Sequence, residues 1–400
     1  MHYILHDAMH KFLKEIKLSE FYMKIKEKLY PQYNENPVYD LRYLYAKAMI
    51  RFDTCETRKK NSQIRSEIQI YKKFWKCYPY DYFFYDLYRE ENTLTPDELI
   101  NYIPSFFWFY LYLPHHTSYK YHMITDNKIA TEQYFHGVNI SQPVTLCRIV
   151  NGILYSPHMQ LLTYDEVMIE LTKKNYEKVF VKPAVGGGSK GIYIFHRTGV
   201  GLYSTDQQIL FNEEFLSSIG TLKDYILQPG ILQDHQISKM YPESINTFRI
   251  ITENKKGDVR VICAMLRIGR GGKEVDNASA GGIFIKIDTK SGTVGSYAMS
   301  YDCEKFSKHP DTHFEFQTVK ISRWDEIVKF TTDSAGKLPF FTHLAWDVAL
   351  TVDGPLAVET NLGFGIEGLQ ISHGGLREAF RIENPDYYWK NPGRRIEYIV

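Results

Sequence analysis

Three stretches of this 400-residue sequence hold residue types that could act on phosphate. In the first, a β-type run from Val179 to Lys182 leads into Gly186, Gly187, Gly188, Ser189, Lys190 and Gly191. A second β-type run, Ile192 to His196, follows. Glycines without a Cβ let backbone N–H groups approach phosphate oxygens closely. The second stretch sets Asp347 at the start of one β-type run and Glu359 and Asn361 at the end of the next, joined by a turn at Asp353-Gly354. Positions two apart on a strand share a face. Two carboxylates and an amide oxygen are hard ligands suited to Mg²⁺ bridging phosphates. The third holds Arg249 after Asn246-Thr247-Phe248, then Arg267, Arg270 and the run Val275-Asp276-Asn277 that ends at Gly281-Gly282. Arginines near strand ends suit phosphate and carboxylate clamping.

Each stretch also has a plainer reading. The loop could be a glycine-rich hairpin with no ligand, Asp347 a strand cap, Glu359 a solvated edge residue and the arginines surface charges. Several other nucleotide formats are excluded. Gly186, Gly188 and Gly191 spell GxGxxG, but the dinucleotide fold needs a helix next and a strand follows. The order Ser189-Lys190-Gly191 is not that of a phosphate loop ending in Gly-Lys-Ser. A protein kinase would need His-Arg-Asp and Asp-Phe-Gly, which are absent. His2, His6 and His10 fall four apart but read as ragged terminal residues, and Pro310 breaks helical spacing between His309 and His313.

The elements that must position these residues follow from periodicity. Asn127 to His136 and Tyr164 to Lys174 predict helices. Strands are expected at 144–148, 179–182, 192–196, 225–228, 247–252, 259–267, 283–287, 347–351 and 356–359, with hairpin turns at Lys256-Gly257-Asp258 and Val352-Asp353-Gly354. The first ~120 residues read differently, as helical and aromatic-rich, with helices at 10–29, 38–50 and 58–74 and a capping-box start at Thr95-Pro96-Asp97-Glu98. The expected organisation is α+β, with a mainly helical N-terminal domain over 1–122 and an antiparallel-sheet domain over 123–400.

Composition bounds the class. Hydrophobic residues are 44% and charged residues 24%, as in ordinary globular proteins, and a net charge of +1 gives no general polyanion-binding signature, so no nucleic-acid partner is expected. Residues 1–76 hold 16 Lys and Arg against 9 Asp and Glu, a local basic surplus. Cys55, Cys77, Cys147, Cys263 and Cys303 show no paired spacing, which argues against a zinc ribbon or disulfide framework and for a reducing compartment. The polar first 17 residues do not read as a signal peptide. The apolar run Ile103 to Leu113 is short of the roughly 20 residues that span a bilayer and reads as a buried helix or strand. A cytoplasmic location, or one peripheral to the inner membrane face, is expected.

Taken in order, Lys128, Lys182, the Gly186–Gly191 loop and Asp347 with Glu359-x-Asn361 resemble the ATP-grasp superfamily. Arg249, Arg267, Asn277 with Gly281-Gly282, and Asn361 with Gly365-Ile366-Glu367 resemble its ribosomal-protein glutamate ligases. The Asn246-Thr247-Phe248-Arg249 and Trp346-Asp347 forms more closely resemble the sugar-transfer-associated ATP-grasp family. The resemblance covers about residues 126–378. It implies an ATP-grasp fold, two α+β subdomains gripping ATP, and an ATP-dependent carboxylate–amine or carboxylate–nucleophile ligase working through an acyl phosphate in surface polysaccharide or cell-envelope sugar modification. ATP and Mg²⁺ are implied, as are a carboxylate substrate, an amine or sugar-linked acceptor and a glycosyltransferase or membrane surface as partner. By position, Lys128 and Lys182 contact the nucleotide and the Gly186–Gly191 loop closes on its β- and γ-phosphates. The hinge at Tyr225–Ile231 faces adenine around Gln228 and Ile231. Asp347, Glu359 and Asn361 hold Mg²⁺; Arg249, Arg267 and Asn277 stabilise the transferring phosphoryl group. The acidic position for the ribose falls on Asp234 or, by the family register, Gln233. A phosphotransferase and a nucleotide-binding scaffold in a glycosyltransferase complex are the alternatives.

Overall fold

The computed structural model describes residues 47–391, apart from 78, 118, 189, 200–202 and 221–222. They form two compact units. One runs up to His115 and is rejoined by the chain from His373; the other is His116–Ser372.

The first unit is helical. In α1 (Asn61–Trp75), Ile64, Ile68, Tyr71 and Trp75 recur at helical spacing and are buried, and Lys76 in the left-handed conformation ends the helix. Thr95 caps α2 (Pro96–Ile100), and both halves of its capping box with Glu98 are formed. The apolar run from Ile103 is helical, and Trp108–Tyr112 adopts π-helical turns. Trp108 stacks on Tyr112 with ring centroids 4.9 Å apart. Phe380 meets Trp108 edge-on, and the Trp389 indole donates to the Trp75 carbonyl at 2.9 Å. These contacts explain why the segment after His373 belongs to the helical unit, whereas the sequence placed everything beyond 122 in the sheet domain. The helix expected at 10–29 and His2, His6 and His10 lie outside the described residues. Of the helix expected at 38–50, only the part from Lys47 is described, and it is helical.

The second unit is built on two antiparallel sheets, the α+β architecture expected. The six-stranded sheet comprises β1 (Cys147–Val150), β2 (Ile153–Tyr155), β3 (Lys178–Pro183), β4 (Tyr193–Arg197), β5 (Tyr203–Ser204) and β6 (Tyr225–Pro229), in the order β2-β1-β6-β3-β4-β5. Strand alternation divides its side chains. Val179 and Val181 of β3 and Tyr225 and Leu227 of β6 enter a core shared with helices α4 (Tyr164–Lys174) and α5 (Glu213–Gly220). Phe180, Lys182, Ile226 and Gln228 point to the other face, where a cleft lies.

The seven-stranded sheet comprises β7 (Phe248–Lys255), β8 (Asp258–Ile268), β9 (Ile283–Ile287), β10 (Ala298–Met299), β11 (Lys305–Phe306), β12 (His343–Thr351) and β13 (Gly354–Asn361), in the order β11-β10-β9-β8-β7-β12-β13. Every residue of β12 is buried, as its near-continuous apolar sequence requires. Helix α7 (Trp324–Gly336) covers one face with Trp324, Ile327 and Ala335. Asp347 is the single charge on β12, directly opposite Arg249 of β7 on one side and Glu359 of β13 on the other. The pairing shifts between Asp347 and Val348, a bulge that leaves Val358 without an opposite residue. Among the described residues, no helix is long and apolar enough to cross a membrane.

Candidate functional site

A cleft within the second unit is lined from both sheets. Lys182, Gln228 and Ile231 come from the six-stranded side, Arg267, Asp347 and Glu359 from the seven-stranded side, and Gly186, Gly187, Gly188 and Lys190 from the loop after β3. Lys128, at the N-terminus of α3 (Lys128–Gly137), and Asn277 complete the polar wall. Residues spread over some 230 positions of sequence are thus collected by two sheets.

Lys182 reaches the cleft because β3 alternation sends it away from the core. Its Nζ donates to Gln228 Oε1 at 3.0 Å, and Gln228 Nε2 donates to Thr145 Oγ1 at 3.1 Å. Burial, and then the neighbouring Lys128 charge, bring the Lys182 ammonium down to about 8, against the opposing pull of Glu359. Lys128 is fixed by its backbone: its N–H donates to the Ala184 carbonyl at 2.7 Å, and Asn127 caps the helix behind it. Lys128 Nζ donates to the Gly186 carbonyl at 2.9 Å and lies 3.7 Å from Glu359. The loop start, the lysine and the carboxylate are therefore tied together.

Three loop glycines have positive φ: Gly186 at 121°, Gly188 at 66° and Gly191 at 72°. A Cβ on Gly188 would reach 4.0 Å from Asn277 Nδ2, so the loop crosses close to the opposite wall. Gly191 packs against Pro183 and is not part of the cleft lining, and Ser189 lies outside the described residues.

The opposite wall is a chain of alternating charges. Arg249 Nε and Nη2 donate to the two oxygens of Asp347 at 2.5 and 3.1 Å, and Arg267 Nη2 is 3.2 Å from Oδ2. Arg267 Nε is 3.5 Å from Asp276, and its Nε and Nη2 donate to Thr247 Oγ1 at 3.0 and 2.6 Å. Asp276 and Asp347 hold the buried Arg267 charged in spite of desolvation. Burial raises the Asp276 carboxyl, and Arg267 and the Thr247 hydrogen bond oppose it. Arg249 stands behind Asp347 and does not line the cleft.

The donor set suits a hard divalent cation. Asp347 and Glu359 face each other across adjacent strands, with Asn361 two residues further along. Nδ2 of Asn361 is buried without a hydrogen-bond partner, so no such bond at that nitrogen fixes which way its oxygen points. Asn361 is not among the lining residues, and both oxygens of Asp347 are held by arginines.

Asp234 does not face the cleft. Its Oδ1 caps the short helix α6 (His235–Ser238) by accepting from Gln236 N–H, and its Oδ2 lies 3.5 Å from Arg323. The alternative, Gln233, is buried with its Oε1 accepting from Asn246 N–H at 2.6 Å, and it too is absent from the lining. Neither stands where a ribose-binding residue was expected. The cleft also contains groups the sequence reading passed over. Glu132 pairs with the buried Arg148 at 3.1 Å, and burial raises its carboxyl. Glu274 pairs with Lys178 and lies 3.0 Å from His196, whose Nε2 is 4.0 Å from Asp206. Asp276 and Thr247 lie in the runs Val275-Asp276-Asn277 and Asn246-Thr247-Phe248, but pairing between residues 29 apart has no periodic signature. His309 is buried, with its ring bonded to backbone at Gly269, Asp311 and Thr312, and holds no site.

Comparison with known proteins places this arrangement. No curated protein sequence matches. Among solved structures, the ADP complex of an N5-carboxyaminoimidazole ribonucleotide synthetase is 12% identical, with a TM-score of 0.36, over 61% of this chain and 46% of that one. An L-amino acid ligase from Bacillus licheniformis is 14% identical, with a TM-score of 0.36, over 68% and 48%. A D-alanine–D-alanine ligase from Bacillus anthracis is 12% identical, with a TM-score of 0.36, over 70% and 69%. The chain thus spans about half the length of the first two. The profile of the sugar-transfer associated ATP-grasp family matches residues 111–384, a span that holds both sheets and every cleft residue named above. On that match, covering well over half of the sequence, the fold is ATP-grasp and the chain belongs to the sugar-transfer associated ATP-grasp family.

Proposed function

We propose that this protein is an ATP-dependent ligase that activates a carboxylate as an acyl phosphate. The observation that supports it is the convergence of Lys128, Lys182, the glycine loop, Arg267, Asp347 and Glu359 on one cleft of an ATP-grasp fold. The oxygen of a substrate carboxylate attacks the terminal phosphorus of ATP, the bond to the β-phosphate oxygen breaks, and ADP leaves. An amine then adds to the acyl carbon, the C–N bond forms, and phosphate departs with the proton taken up by solvent or phosphate. No protein nucleophile enters this scheme.

The chain's own residues position and neutralise. Lys128 and Lys182 hold nucleotide phosphate and offset its charge, and the loop N–H groups at Gly186, Gly187 and Gly188 cradle the β- and γ-phosphates. Gln228 and Ile231 sit on the hinge against the base. Arg267 and Asn277 stabilise charge on the transferring group, and Arg249, behind Asp347, holds that carboxylate in place. Asp347, Glu359 and Asn361 are the residues to hold Mg²⁺, which when bound supplies Lewis-acid neutralisation of phosphate charge. The family's association with sugar transfer supports an amine or sugar-linked acceptor in surface polysaccharide or envelope modification.

The test is a screen of sugar acids and amino acids for substrate-dependent ADP release, with hydroxylamine replacing the acceptor. A hydroxamate that forms only with ATP and the carboxylate supports the ligase. ADP with a stable phosphorylated product and no hydroxamate overturns it in favour of phosphotransfer.

A further inference from the structure

Arg267 is held by two anchors. One is Asp347, the carboxylate assigned above to the cation. The other is Thr247, whose hydroxyl accepts from Arg267 Nε and Nη2. A hydroxyl has one proton to donate and two lone pairs with which to accept. Here the proton goes to Asp276 Oδ2 at 2.5 Å, and the same oxygen accepts the Thr247 backbone N–H at 2.9 Å. Asp276 therefore fixes the rotation of the hydroxyl, and that rotation aims both lone pairs at the guanidinium. Asp276 also lies 3.5 Å from Arg267, so it supplies a counter-charge that does not depend on Asp347.

Oδ2 of Asp347 is shared by Arg249 and Arg267, so a cation that takes that oxygen displaces a guanidinium. If Asp347 were the only anchor, Arg267 would lose its position when a cation arrived. We propose that Asp276 is a positioning residue acting through Thr247: it keeps Arg267 in the cleft while Asp347 exchanges guanidinium for a divalent cation and Arg267 turns to nucleotide phosphate. Cation and phosphate then bind as coupled events. A cation alone must displace an arginine that has no new partner, and nucleotide supplies that partner. The inference rests on the proposed nucleotide site.

Asp276→Asn keeps an acceptor and removes the charge; Thr247→Val keeps the shape and removes the hydroxyl; Thr247→Ser restores it. Mn²⁺ binding is followed by electron paramagnetic resonance with and without saturating ADP, and ADP binding by calorimetry without metal. In the wild type, ADP should tighten Mn²⁺ binding at least tenfold. Asp276→Asn and Thr247→Val should each lose most of that enhancement, with metal-free ADP affinity within about threefold of wild type. Thr247→Ser should retain the enhancement. The double variant should lose no more than Asp276→Asn alone, because Thr247 acts only as Asp276 orients it. Full enhancement in either folded single variant overturns the inference and leaves the nucleotide site standing. Losses that multiply in the double variant overturn it too, because they denote separate roles. Wild-type protein that binds no ADP overturns the underlying reading and this inference with it. If Asp276→Asn does not fold, Thr247→Val decides the matter alone.

Discussion

Lys182 makes the proposed site sensitive to pH in a direction that can be worked out beforehand. Its ammonium is brought down to about 8 by burial and by Lys128. The unfolded value is the ordinary one near 10.4. At pH 7 about nine-tenths of the folded protein carries the charge, and at pH 9 about one-tenth does. Nucleotide phosphate favours the charged form and returns the group toward its ordinary value. Above pH 8, binding must therefore be preceded by proton uptake. Affinity for ADP or ATP should fall about tenfold between pH 7 and pH 9, or about 1.4 kcal/mol, and binding at pH 8 should take up about half a proton. Calorimetry in buffers of different ionisation enthalpy reads both quantities. Folding responds with the opposite sign. The unfolded chain holds more protons between pH 8 and the ordinary lysine value, so this group's burial cost is present below pH 8 and is relieved as pH rises. Lys182→Arg keeps its charge throughout and should flatten the binding profile, whereas Lys182→Met should weaken binding at pH 7 and flatten it as well. Gln228→Leu removes the acceptor 3.0 Å from Nζ and should move the midpoint below 8. A wild-type profile that is flat from pH 7 to 9, or one unchanged in Lys182→Met, would refute the placement of this lysine against phosphate.

Other expectations follow from the same geometry. Glu359→Gln keeps shape but removes one of the two carboxylates facing each other across β12 and β13, so nucleotide binding should weaken chiefly when Mg²⁺ is present, and near-normal turnover would sink the metal assignment. Arg249→Lys loses the two-pronged grip on Asp347 and should slow phosphoryl transfer more than it weakens ATP binding, a split visible in kcat against KM. Gly282→Ala would put a Cβ 2.5 Å from the Asp276 carbonyl oxygen and 3.0 Å from that of Ile268, both backbone atoms. It should cost about 2–4 kcal/mol in urea unfolding, and a loss below 0.5 kcal/mol would show that the β8–β9 connection adjusts freely.

What the sequence made legible was local. The alternation Val179, Val181 against Phe180, Lys182 is a two-residue period, and the structure places the two sets on opposite faces of β3. The hairpins at Lys256-Gly257 and Asp353-Gly354 formed where turn residues stood between apolar runs. Thr95 and Glu98 formed the expected capping box because both partners lie within one turn. The expected β12 began at Asp347, but the strand starts at His343, since a fully buried central strand shows no alternation to mark its end. Helices α5 and α7 were not foreseen. Strand β10 and the edge strand β11 are two residues each, too short to carry a pattern. Asp234 was offered for the ribose by its place after the hinge. It caps α6 instead, because an aspartate just before a helix finds backbone N–H groups close at hand. The return of Phe380 and Trp389 to the helical unit depends on contacts nearly 300 residues apart, beyond the reach of any periodicity.

The charge pattern of the cleft bears on how tightly it can hold a ligand. Lys128, Lys182, Arg249 and Arg267 stand among Asp276, Asp347 and Glu359, and each carboxylate is already within 4 Å of a cationic side chain. Buried charges left unpaired would cost several kcal/mol each, so this mutual pairing lets the site stay folded without ligand. It also means that a nucleotide and its cation create few new charge pairs outright. At the proposed site phosphate would replace carboxylate at Arg267, and cation would replace guanidinium at Asp347 and ammonium at Glu359. The net electrostatic gain is a difference between similar terms, and it is largest when both exchanges occur together, since either one alone strands a charge. At the proposed site, a bare cation and metal-free nucleotide should each bind more weakly than the two together. If nucleotide and cation bind where proposed, a cleft wired in this way favours the metal–nucleotide complex as a unit, by making each half costly without the other.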